Sequence, residues 1–166
     1  LVMGNVQAGK TLNFIGLVNK ALDVGYHTII ILGGHMDELR RQAQARVIEG
    51  FPQLTDVEEE EEKYIPTLLT KLEQDFNSAA ANSTSPNLLS SPTILVMKKH
   101  TTILKRFIKW YSELNGFDKS KKKPFLLIDD EADYASINTK HAQEDYTSTN
   151  TTIRDLLNLF HKPTYV

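Results

Sequence analysis

Gly4-Asn5-Val6-Gln7-Ala8-Gly9-Lys10-Thr11 sets a short loop between two glycines and closes it with a lysine and a hydroxyl residue. Far downstream, Phe125-Leu126-Leu127-Ile128 runs into Asp129-Asp130-Glu131-Ala132-Asp133, an apolar strand pattern that ends in carboxylates. Glycines lack Cβ, so such a loop can turn sharply and aim successive backbone N–H groups at one dense anion. The G-x-x-x-x-G-K-T spacing does this for the phosphates of a nucleoside triphosphate. Gly4, Gln7, Ala8 and Gly9 would line the cradle, and Lys10 would reach the β- and γ-phosphates. The run Thr11 to Leu22 reads as a helix whose N-terminus adds orphan N–H groups and the positive end of its dipole.

Thr11 offers a hydroxyl to Mg²⁺, and that hard, octahedral cation needs a carboxylate from elsewhere. Asp130 is the candidate, while Glu131 is placed to orient and polarise an attacking water. An Asp-Asp-Glu cluster repels itself unless a cation or basic partner is near, which is why the two motifs support each other. Taken separately, each has a plainer reading: an unrelated glycine-rich turn, and a strand running out into a solvated acidic turn.

Apolar periodicity supplies the elements that must bring the motifs together. Strands are predicted at His27 to Leu32, ending at Gly33-Gly34, at Thr93 to Met97 after Pro92, and over the apolar run before Asp129. Helices are predicted at Met36 to Ile48, started by Asp37, and at Thr102 to Leu114, with Leu104, Phe107, Ile108 and Tyr111 on one face. A last amphipathic helix carries Ile153, Leu156, Leu157 and Phe160. Alternating strands and helices imply an α/β fold, a parallel sheet wrapped by helices, with ligands at the carboxyl ends of the strands.

Two stretches break the rhythm. Residues 55–92, with the Glu58 to Glu62 run, read as a polar insertion holding a short helix near Ile65 to Phe76 and a mobile loop over Asn77 to Ser85. Asn138 to Thr152 is nearly devoid of apolar residues and is expected to be a surface loop. The lysines of Lys119-Ser120-Lys121-Lys122-Lys123 read as a solvated turn before a strand, with phosphate contact as the alternative. Only Leu1-Val2-Met3 precede the loop where a feeding strand is expected, and residues 161–166 read as a helix exit opening another strand. The chain therefore reads as the core of a longer protein.

Composition sets bounds. The chain has 166 residues, a length suited to one domain, with a net charge of −2, so nucleic-acid contact would need local basic patches. It has no cysteine, which excludes disulfides and thiolate metal sites. No apolar run approaches a membrane span, and a cytoplasmic protein with no membrane partner is expected. His27, His35, His100, His141 and His161 show no metal-ligand spacing. Glu61-Glu62-Lys63, with Asp56 upstream, is the nearest approach to a nuclease-type acid and lysine cluster, and it reads as a solvated face because it lacks strand character.

Gly4 to Thr11, Gly33-Gly34 with Leu39-Arg40-Arg41-Gln42, Val96-Met97-Lys98-Lys99, and Leu127 to Asp133 followed by Ala135-Ser136-Ile137-Asn138-Thr139 together resemble the Z-one domain proteins. That family carries the label of endonuclease and is similar to the superfamily-two helicases of bacterial restriction and phage defence. The resemblance spans nearly the whole chain apart from the insertion. It implies a RecA-like P-loop NTPase, residues 1–166 forming the first lobe of an ATP-driven DNA motor. ATP and Mg²⁺ are the implied cofactors. DNA, a second RecA-like lobe and a nuclease region elsewhere in the longer chain are the implied partners.

Position by position, Lys10 and Thr11 match the phosphate and magnesium residues, Asp130 the metal carboxylate, Glu131 the catalytic acid and Asp133 the last acid of the box. Arg40, Gln42, Lys98 and Lys99 fall where such motors grip a nucleic-acid backbone. Arg40 has a plainer reading as a solvated helix charge, and Lys98 and Lys99 as charges that blunt a strand end. Tyr134 stands where Gln is expected and His100 where Asn is common. An arginine finger from a second lobe is worth about 10³–10⁵ in rate, so the chain alone is expected to hydrolyse ATP slowly if at all. Two further classes stay open: a nucleotide switch that regulates partner assembly without moving a strand, and a structural module that has lost the chemistry.

Overall fold

In the computed structural model the described residues are 10–51, 66–84, 91–114, 117–130 and 140–166, with backbone alone for residues 10–14, 84, 117, 120 and 140–147. Its centre is three strands rich in Ile, Leu and Val: β1 (Thr28–Leu32), β3 (Thr93–Met97) and β4 (Phe125–Asp129), each buried along its whole length. Runs that are apolar on both faces suit a parallel sheet covered by helices on both sides. The strands pair in parallel with Thr28, Thr93 and Phe125 in register at one end and Leu32, Met97 and Asp129 at the other. Two short strands extend the sheet, β2 (Thr67–Leu68) beside β3 and β5 (Pro163–Tyr165) beside β4, giving the order β2-β3-β1-β4-β5.

Strand alternation divides the core in two. Ile29, Ile31, Ile94, Val96, Leu126 and Ile128 face α1 (Lys10–Asp23) and α2 (Asp37–Gly50), where Val18, Ala21, Ala43 and Val47 meet them. Ile30, Leu32, Leu95, Met97, Phe125 and Leu127 face the other way, toward α3 (Ser78–Thr84), α4 (Thr101–Ser112) and α6 (Lys140–Asn158), the one-turn α5 (Phe117–Ser120) lying between α4 and β4 in the chain. On this face Phe107 lies edge-on to Phe76 with ring centroids 5.3 Å apart.

A single tight turn joins α1 to β1. Gly25 takes a φ of +87°, and the Tyr26 N–H donates to the Ala21 carbonyl at 2.9 Å, so β1 runs back along the helix that precedes it. Fourteen helical residues rise about 21 Å and five strand residues about 17 Å. The first turn of α1 therefore reaches the rim formed by the carboxyl ends of the strands.

Both stretches that break the sequence rhythm depart from expectation. No helix spans residues 66–76: the segment forms β2, then a turn in which Lys71 and Gln74 bridge each other, and it buries Leu69 and Phe76 in the core. The polar run after it is not a loop but α3. Asn77 Oδ1 accepts from the N–H groups of Ala79 and Ala80 at 3.0 and 3.2 Å and starts the helix, which buries Ala81. The expected surface loop at 138–152 is, from Lys140 on, the first part of α6. Hydropathy hides it because threonines occupy inward positions: Thr152 is buried and donates its hydroxyl to the Ser148 carbonyl, and Thr149 meets Thr101 across the contact between α4 and α6. Glu58 to Glu62, Asp56 and Lys63 lie outside the described residues. Among the described residues no helix is long and apolar enough to cross a membrane.

Candidate functional site at the carboxyl rim

The rim is knit together by backbone hydrogen bonds that run past the strand ends. Gly33 N–H donates to the Met97 carbonyl at 3.0 Å, Lys99 N–H to Gly34 at 2.6 Å, Asp130 N–H to Leu32 at 3.2 Å and Asp129 N–H to Val166 at 2.8 Å. Lys10 and Thr11 open α1 on this side, and Asp130 follows β4 on the same side. The side chains of Lys10 and Thr11, together with Gly4, Gln7, Ala8, Gly9 and Glu131, lie outside the described residues, as do Asp133 and Tyr134.

The two neighbouring acids at the end of β4 have different surroundings. Asp129 points inward with its side chain 1% exposed. Its Oδ2 accepts from Lys99 Nζ at 2.7 Å and from the Tyr165 hydroxyl at 2.8 Å. One carboxylate thus ties the turn after β3 to the end of β4 and to β5. Asp130 lies in the turn beyond, its side chain 25% exposed, with Arg46 Nη1 3.8 Å from its Oδ2.

Arg46 arrives there because of the path of α2. A Cβ on Gly33 would sit 2.8 Å from the Arg40 Cα, so α2 can pass this close only over a glycine. At one end of α2, the Arg40 guanidinium donates to the carbonyls of Lys71 and Leu72 at 3.1 and 2.6 Å, beyond β2. At the other end, Gly50 abuts Ile15 of α1, where a Cβ would come within 2.6 Å of the Ile15 side chain. Between these anchors α2 carries Arg46 to the end of β4.

The four residues read from sequence as nucleic-acid candidates are placed as follows. Arg40 is buried, 2% exposed, on the two carbonyls just named. Gln42 is on the outer face of α2, 3.4 Å from Glu38 Oε1. Lys98 donates through Nζ to Asp37 Oδ1 at 2.7 Å, while its backbone N–H donates to Asp75 Oδ2 at 3.1 Å. That hydrogen bond and charge from Lys98 hold the Asp37 carboxyl below its usual value. Lys99 is on Asp129. The rim is therefore a field of compensated charge, in which these cationic side chains have acids or carbonyls within reach.

Three participants escaped the sequence reading. Arg46 lies off the buried stripe Arg40, Ala43, Gln44 and Val47 of α2, so spacing marks it only as a solvated charge. Asp129 looks like one more acid of a cluster, and Tyr165 like a strand residue; only their pairing gives them a role. A scan against protein-family models, a search of curated proteins and a search of solved structures each returned no match for this chain.

Proposed function

We propose that the carboxyl rim binds ATP with Mg²⁺ and hydrolyses it, in a RecA-like P-loop domain that serves as the first motor lobe of a helicase-like DNA translocase. One observation carries the reading: an all-parallel sheet whose carboxyl rim receives both the first turn of the helix that follows the Gly4 to Thr11 loop and the Asp130 turn. The residues fit the cofactors. Asp130 is a hard oxygen donor and partly open to solvent, as a cation ligand requires. In this reading Mg²⁺ neutralises charge on the phosphates. Thr11 and Asp130 hold it, Lys10 and the α1 N-terminus hold the phosphates, and Glu131 orients the water and accepts its proton. The DNA and the place in restriction or phage defence come from the resemblance to Z-one domain proteins.

A second reading, a nucleotide switch that controls partner assembly, draws on a different observation. Arg40, Lys98 and Lys99 are engaged within the fold, so in this state they do not present a bare cationic track to a strand.

The experiment follows nucleotide binding and hydrolysis in the intact protein. Lys10→Ala is expected to remove Mg²⁺-dependent ATP binding. Glu131→Gln is expected to keep binding and lower hydrolysis by about 10²–10⁴. DNA that stimulates wild-type hydrolysis supports the motor, and hydrolysis indifferent to DNA supports the switch. ATP binding that survives Lys10→Ala unchanged removes the site from the rim.

A further inference from the structure

We propose that Arg46 is a built-in counter-ion for Asp130: it neutralises the carboxylate when no metal is bound and competes with the divalent cation that the proposed nucleotide site requires. The inference rests on the ATP and Mg²⁺ reading above and adds a regulatory contact to it.

Three features of the contact carry it. The Arg46 to Asp130 separation is 3.8 Å, beyond hydrogen-bond length, so Coulomb attraction holds the pair. The two side chains are 38% and 25% exposed. A pair this open is screened and weak, hence displaceable. Finally, the rest of α2 is pinned at both ends, by Arg40 on the Lys71 and Leu72 carbonyls and by Gly50 against Ile15. The helix that delivers Arg46 therefore stays in place while its flexible side chain can leave. Lys99 contrasts with this. It is 10% exposed and hydrogen-bonded to Asp129 at 2.7 Å, as suits a permanent buried pair. Of the two acids closing β4, one carries a fixed lysine and the other an arginine that can be exchanged for a metal ion.

The consequence is a threshold. A cation taking Asp130 must displace a guanidinium, so the Mg²⁺ concentration at which nucleotide binds is set higher than the ligands alone would set it.

The test titrates free Mg²⁺ at a fixed concentration of a fluorescent ATP analogue with the intact wild-type protein and its Arg46→Ala, Arg46→Lys and Asp130→Asn variants. Arg46→Ala is expected to lower the half-saturating Mg²⁺ about two- to five-fold, the range that an exposed ion pair can hold back. Arg46→Lys should fall between it and wild type, and Asp130→Asn should raise the requirement. Melting curves followed through Trp110 should coincide for wild type and both Arg46 variants; if Arg46→Ala does not fold, Arg46→Gln takes its place. An unchanged Mg²⁺ requirement in Arg46→Ala overturns the counter-ion role and leaves the nucleotide reading standing. A raised requirement also overturns it, because Arg46 would then be helping to hold the nucleotide. Wild-type protein that binds no nucleotide at any Mg²⁺ concentration defeats both.

Discussion

Asp129 and Asp130 share a peptide bond and little else, because strand alternation turns one carboxylate into the fold and the turn leaves the other at the edge. The inward acid has a near-buried ammonium as its partner, and charges out of water depend on each other: removing one leaves the other without compensation. Asp129→Ala should therefore cost about 3 kcal/mol of unfolding free energy, measured by urea denaturation with Trp110 fluorescence. Asp129→Asn should cost less, since its amide oxygen can still accept from Tyr165. A loss below about 1 kcal/mol for Asp129→Ala would mean that the Lys99 ammonium reaches water easily once freed, as surface pairs do. At this scale the sequence was partly legible. The acids announce themselves by type, but Lys99 and Asp129 are 30 positions apart and Lys98 and Asp37 61 apart. No local period connects such residues.

Among the elements, α2 is the one whose sequence says least about its position. Its stretch Asp37 to Gly50 carries charges throughout, and its inward stripe includes an arginine and a glutamine. A guanidinium can be buried there because its planar fork meets two carbonyls at once. Arg40→Ala should then cost about 3 kcal/mol, within what one or two hydrogen bonds to a charged group contribute. It should also speed amide exchange at Lys71 and Gln74, whose N–H groups bond across the turn that Arg40 clamps. Arg40→Lys should not rescue the turn, because an ammonium is a point donor with no fork. Stability and exchange both unchanged in Arg40→Ala would mean that the turn holds itself. The same blindness to context explains α6. Thr149 and Thr152 count as polar in any window, yet a threonine that returns its hydroxyl to its own helix can sit against α4.

For the whole molecule, the two sides of the sheet are unequal in what they bind together. The side with α3, α4 and α6 joins residues from the stretch read as an insertion, Phe76 and Ala81, to the main strands through Phe107 and Trp110. A stretch that shares the core this way should unfold with the rest. Phe107→Ala should lower stability by about 3–5 kcal/mol, since the fully buried ring leaves a cavity among three other aromatics. Far-UV circular dichroism and Trp110 fluorescence should still lose signal in one coincident transition. Two separated transitions would show instead that α3 and its neighbours melt on their own.

The sequence by itself determined the three buried strands, the helices α1, α2 and α4, and the parallel direction in which those three strands run. Those follow from apolar runs and helical spacing, which are local properties of the chain. Parallel order then brings the start of α1 and Asp130 to the same rim, whatever the details. Only the tertiary structure decided that Arg40 bridges two carbonyls, that Asp129 takes Lys99 and Tyr165, and that Arg46 rests beside Asp130. The first and the last of these depend on where α2 crosses the sheet. That crossing is fixed by close approaches at Gly33 and Gly50, contacts in space between residues far apart in the chain.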